Sequence, residues 1–315
     1  MSNITIQNGR ALAPAFDPGA FGGGISVDGP AVTLTNMAFL NNQAIGANVA
    51  SADGGSAAGS ALSIRSTNGT GVSILSGVTF SGNSSTGGTG ATRGGYAFGA
   101  MFAFAAVVHI ENAQFTSNTA QGGSSSGIGL SAGERADAFG GGITVGAGAN
   151  VSISRVTATG NTCTGGLGSQ YGGGAFGCGL YLEAGAVSIA DSRFQSNVAQ
   201  AGTKNPGFGG FAGGGGVLLF NPTAASIDRT LFFANRATGG GSSPANAAGT
   251  GGGGGLYLWR GTLAGPAITV QVRNSVFAEN IVQLGSSGSN PGGGGGAVQV
   301  QGLTAVFDHT TFADN

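Results

Sequence analysis

Few side chains in this 315-residue chain could do chemistry. It holds 11 Lys and Arg, 12 Asp and Glu, 2 His and 2 Cys. His109 and His309 lie far apart, and with two cysteines they give no metal-ligand spacing. Only Glu134 and Asp137, beside Arg135, bring two carboxylates together in a loop. Paired carboxylates facing one cleft are the requirement for glycoside hydrolysis. A Gly-Glu-Arg-Ala-Asp stretch reads more simply as a solvated loop tip. Gly-x-Ser fragments are numerous, but none leads from a buried strand into a helix as a nucleophile elbow must. A single lysine, Lys204, leaves no phosphate-binding loop of the Walker type. The expectation is no catalytic residue, no metal and no cofactor.

Composition narrows the classes further. Glycine accounts for 67 residues, about three times the usual share. Charged residues are 7% and the net charge is −1, so no basic stripe exists to hold nucleic acid. With 40% hydrophobic residues and 19 Phe, the chain is unlike a charge-rich disordered segment. Eight prolines and no three-residue glycine period exclude collagen. No apolar run reaches the 18 residues that would suggest a membrane-spanning helix.

The elements that would position any site come from a repeat. Phe-x-x-Asn recurs as Phe39/Asn42, Phe80/Asn83, Phe115/Asn118, Phe194/Asn197, Phe232/Asn235, Phe277/Asn280 and Phe312/Asn315. Ala158/Asn161 is a copy without its Phe. An apolar residue stands five before each aromatic position: Leu34, Leu75, Ile110, Ile153, Ile189, Ile227, Val272 and Phe307. Glycine-rich runs such as Gly22-Gly23-Gly24-Ile25 lead into period-two alternation, the signature of half-buried strands. Glycine at this density disfavours helix. Each repeat predicts three short strands and one long Gly-rich loop, and eight stacked coils predict an all-β parallel β-helix. Residues 1–21 read as an opening coil and loop, and 22–315 as eight repeats of a single domain.

Stacking assigns structural roles to most polar residues. Asn42, Asn83, Asn118, Asn161, Asn197, Asn235, Asn280 and Asn315 predict a hydrogen-bonded ladder at a turn where Asn tolerates left-handed backbone. Arg155, Asp191, Arg229, Asn274 and His309 form one row, and Asp228, Arg273 and Asp308 another, both expected to act as surface charge ladders. Phe21, Phe98, Phe139, Phe176 and Phe211 predict a satellite aromatic row pinning the loops. Cys163 and Cys178 are placed either for a disulfide or as two buried thiols. Sequons stand at Asn3, Asn68, Asn83 and Asn150; Asn68 and Asn150 fall in turns, whereas Asn83 belongs to the ladder.

The outward positions of the first strand read Ser26, Ser63, Ala103, Thr144, Tyr181, Leu218, Tyr257 and Gln299, which is no threonine array of the ice-binding kind. Within that row, Tyr181, Leu218 and Tyr257, with Trp259 and Arg260 just beyond, mark a candidate contact face for glycan or protein.

Gly-Gly-Gly-Ile or Gly-Gly-Gly-Ala followed by Phe-x-x-Asn resembles the paired repeat of chlamydial polymorphic outer-membrane proteins. It is also similar to right-handed β-helix repeats of bacterial surface proteins in the pectin-lyase-like superfamily. The resemblance implies a right-handed, single-stranded β-helix. Regular repetition, charges explained by stacking and no catalytic cluster point to a non-enzymatic extracellular or cell-surface rod of adhesin or passenger type. Because the superfamily also holds carbohydrate-active enzymes, the alternative is a polysaccharide lyase or glycoside hydrolase, with Glu134 and Asp137 as the residues to replace. Expected partners are a second copy stacked head to tail or flanking domains, with glycan or surface protein on the lateral face. No signal peptide, membrane anchor or capping repeat is read in the chain, so it reads as part of a longer one or as a stacking subunit.

Overall fold

The computed structural model describes residues 1–13, 19–29, 31–66, 71–104, 107–125, 136–146, 148–168, 171–203, 207–242, 246–261, 267–286 and 293–315. The described chain is all β, and its strands pair in parallel from coil to coil into a right-handed β-helix. One sheet stacks nine three-residue strands, from Thr5–Gln7 to Thr311–Ala313, with Phe set on Phe in register. The largest sheet carries two tracks, represented in the second repeat by Leu62–Arg65 and Val72–Ser76. In two coils the tracks fuse into the single strands Leu180–Ala190 and Val217–Asp228.

Two further sheets lie beyond the three predicted strands. Eight short strands follow the Asn positions, among them Gln43–Ile45 and Ser84–Thr86. Seven two-residue strands, such as Ala97–Phe98, precede the glycine runs. Apart from the Phe of Ala-Phe and a few Ile, Leu and Val, their residues are small or polar, and strands of two or three such residues are held in place by the coils above and below.

The core follows from what points inward. Phe39, Phe80, Phe115, Phe194, Phe232 and Phe277 are fully buried. Phe39 and Phe80 stack with centroids 4.7 Å apart and planes 5° from parallel, and Phe232 and Phe277 repeat this at 4.5 Å and 2°. Ala158 interrupts the column between Phe115 and Phe194. Where the two short-strand sheets meet, the inward residues are Ala120, Ala199 and Ala237 opposite Ala97, Ala138 and Ala175. Small side chains bring those two walls close together.

Left-handed backbone sits one residue before the position expected. Asn41, Gly82, Ser117, Gly160, Ser196, Ala234, Glu279 and Asp314 take φ between 52° and 65°. The Asn that follows each of them turns its amide inward instead. A second corner holds Asn36, Gly77, Asn112, Arg155, Asp191, Arg229, Asn274 and His309 at φ of 45–63°. The row read as a charge ladder is therefore first a row of turn residues.

The glycine content has a specific cause. The descending and ascending limbs of successive loops interleave in a zigzag: Gly88 donates to Gly55, Gly95 to Gly88, and Gly123 to Gly95. The pattern resumes as Gly202 to Gly173, Gly210 to Gly202, Gly240 to Gly210 and Gly249 to Gly240. A Cβ on Gly88 would stand 1.9 Å from the Ala47 carbonyl oxygen, and one on Gly240 1.8 Å from that of Gly202. Backbones approach so closely that only hydrogen fits.

Candidate functional site

The Asn column is buried from Asn42 to Asn280. Each member donates its main-chain N–H and one Nδ2–H to the Oδ1 of the next, over 2.8–3.1 Å. Its other Nδ2–H goes to a carbonyl in the coil before, as Asn83 does to Phe39 and Asn118 to Phe80. Asn315 continues the column at the exposed end, and Gly9 donates to Asn42 Oδ1 at the other. These amides have no bonding capacity left for a ligand.

The proposed contact face is not a face. Tyr181, Leu218 and Tyr257 are 8%, 0% and 2% exposed. They form a satellite core beneath Phe139, Phe176, Phe211, Phe220 and Trp259. Sequence reasoning placed the row outside the coil correctly but could not see the aromatic row folded over it. Register corrects two assignments as well. Phe102, not Ala103, takes the outward position beside Thr144, and Ala103 lies in the main core. Phe211 stands two residues before Gly213, the residue that pairs with Phe176, so the row itself is Phe21, Phe98, Phe139 and Phe176. Trp259 stacks on Tyr257 at 5.8 Å, and both Trp259 and Arg260 are half-buried.

Cys163 and Cys178 are joined in a disulfide across the alanine-lined wall, with Cα atoms 5.3 Å apart. Charges pair singly between neighbouring coils, so the expected continuous ladder is broken. Arg229 grips both oxygens of Asp191 at 2.6 and 2.9 Å and also meets Asp228. The Arg229 hydrogen bond holds the Asp191 carboxyl below its ordinary range. Arg155 turns away from Asp191 and binds Glu111 and Asn112.

Titratable groups are most perturbed around Tyr181. Burial, with the charges of Glu183 and Asp137, pushes the Tyr181 hydroxyl far above its ordinary value. Burial also raises the Glu183 carboxyl. Tyr257, whose hydroxyl donates to Gln301 Oε1 at 2.6 Å, is pushed up to about 12 by burial. Asp137 accepts from the Gly174 N–H at 2.5 Å, so it is anchored to the loop wall. Glu134 and Arg135 lie outside the described residues, as does Asn68. Asn150 is exposed and accepts from the Ala186 N–H. Among the described residues no group of three His, Cys, Asp or Glu could hold a metal. No helix there is long and apolar enough to cross a membrane.

The open relief of the surface lies elsewhere, around Phe21. A cavity of about 820 Å³ is lined by Phe21, Val49, Ser51, Asp53, Thr92 and Arg93 among others. A second, of about 360 Å³, is lined by Phe21, Arg65, Ser66, Phe102 and Phe104. Of these lining residues only Phe21 is singled out by the sequence, with Ala103 of the outward row standing between Phe102 and Phe104. Each depends on side chains from different coils, which no spacing rule brings together.

No protein-family model matches the chain, and no curated protein does. Two solved structures, both mutants of a periplasmic alginate epimerase, are similar to it. The double mutant is 11% identical with a TM-score of 0.25, over 96% of this chain and 85% of that one. The second, a single mutant, is 10% identical with a TM-score of 0.22, over 98% and 84%. Likeness at this level carries nothing about activity.

Proposed function

We propose that this chain is a non-enzymatic structural rod of the extracellular or cell-surface kind, akin to an adhesin or passenger segment. The supporting observation is the use made of its repeated polar groups. The Asn amides are saturated within the column, and Arg65, Arg93, Arg155 and Arg229 each pair with a carboxylate on another coil. Residues that recur from coil to coil thus serve coil–coil cohesion. The Cys163–Cys178 disulfide suits an oxidising compartment. The same repeats support placing the chain with the bacterial surface β-helices of the pectin-lyase-like superfamily.

A second reading, a polysaccharide lyase or hydrolase, is favoured by one observation, the grouping of Tyr181, Glu183 and Asp137. Incubation with acidic polysaccharides, with and without calcium, separates the two. The rod reading expects no turnover. Turnover that is lost in Asp137→Asn, Glu134→Gln or Glu183→Gln overturns it.

A further inference from the structure

The two cavities adjoin at Phe21 and are lined by residues of the first three repeats, and we treat them as one groove. At one end Arg93 Nη2 binds Asp53 Oδ2 at 2.6 Å, and Arg93 Nη1 donates to the Tyr96 hydroxyl at 3.2 Å. In the middle the Arg65 guanidinium lies 4.2 Å above the Phe21 ring centroid and is held by both oxygens of Asp28 at 2.9 Å. At the other end the Phe104 ring is 47% exposed, lying over the bare Cα of Gly146. A Cβ on Gly146 would come within 2.8 Å of that ring.

Two properties of this surface decide its ligand. It alternates aromatic surface with planar, multiply donating ion pairs, which suits a molecule with apolar faces and hydroxyl edges. Each arginine is matched by its own aspartate, so the groove is charge-balanced and offers no excess attraction to phosphate or uronate.

We propose that this groove binds an uncharged oligosaccharide. Its sugar faces rest on Phe104 and Phe102, and its hydroxyl groups bond to the Arg65–Asp28 and Arg93–Asp53 pairs. The assignment deepens the rod reading and rests on it, since it gives the lateral surface a ligand class.

Isothermal titration of the whole chain with neutral hexasaccharides of glucan, mannan and chitin, beside uronate hexasaccharides, tests it. At least one neutral chain should bind and the uronates should not. Phe104→Ala and Arg93→Gln should each weaken binding at least tenfold, with melting temperatures near that of the parent. Trp259→Ala, far along the rod, should leave affinity unchanged. Failure of every neutral probe, preference for uronates, or binding that survives both groove substitutions overturns the proposal. None of these results reports on turnover, so the groove can fail while the rod reading stands.

Discussion

The Oδ1 of Asn118 accepts two hydrogen bonds from Asn83, one from its main-chain N–H at 3.0 Å and one from its side-chain amide at 2.9 Å. Asn118 in turn gives both of its own donors to Asn161 in the same way. The amide dipoles therefore run in one direction down the rod and polarise one another.

Replacing one member breaks several bonds at once. Asn161→Ala would strand the Asn118 N–H, one Asn118 Nδ2–H and the Phe115 carbonyl, all buried. At about 1–3 kcal/mol per orphaned group, a loss of ~3–5 kcal/mol is expected. Asn150→Ala, at an exposed position with one bond to Ala186, should cost under ~1 kcal/mol. Urea unfolding of both variants checks the contrast.

A stabilising change follows from a misplaced hydroxyl. Ser73 is fully buried, its Oγ has no partner, and it pairs in the ladder with Val108. Ser73→Val removes an unsatisfied group and continues a column of valines formed by Val108, Val151 and Val187. A gain of ~1–2 kcal/mol is expected. Ser73→Ala, which makes no demand on space, should gain less but in the same direction. Denaturant midpoints of the two variants measure it.

That strand also shows where sequence reading stops. Its alternation would put Val72 and Ile74 inward, yet they are 42% and 39% exposed while Ser73 and Leu75 are buried. Leu75, tied to Phe80 by the five-residue spacing, was the sounder guide because repeat register outweighs local hydropathy. The Phe and Asn columns, the coil stacking and the two main tracks were legible for the same reason. The buried row of Tyr181, Leu218 and Tyr257 was not, because its cover comes from residues such as Phe139 and Phe220 in other coils. The groove around Phe21 was hidden too, since its Arg65–Asp28 and Arg93–Asp53 pairs join residues 37 and 40 apart.

Glu183 sets a pH dependence whose sign follows from its environment. Burial raises its folded-state carboxyl above the ordinary value. Below the unfolded value both states are protonated and no penalty exists. As pH rises through the raised folded value, the folded state must carry a desolvated charge, and stability falls. Glu183→Gln should therefore raise the melting temperature at pH 7 and leave it unchanged near pH 4. Thermal scans across that interval would show the two curves converging at the acid end. Parallel curves would remove Glu183 as the cause.

The glycine zigzag predicts opposite outcomes for one chemical change. Gly29 has no atom within 4 Å of where a Cβ would sit. Gly29→Ala should thus stabilise by ~0.4–1 kcal/mol, chiefly by narrowing the unfolded chain's freedom. Gly240→Ala would drive a methyl to 1.8 Å from the Gly202 oxygen and 2.7 Å from the Gly210 nitrogen, both backbone atoms. No side chain can swing aside there. The limbs of adjacent loops would have to part, breaking the bonds from Gly240 to Gly210 and from Gly249 to Gly240. A loss of at least ~3 kcal/mol is expected. Hydrogen exchange locates it: amides of Gly210, Gly240 and Gly249 should lose protection, while those of the Phe column keep theirs. Equal protection in parent and variant would mean that the loop limbs are not held by the contact described.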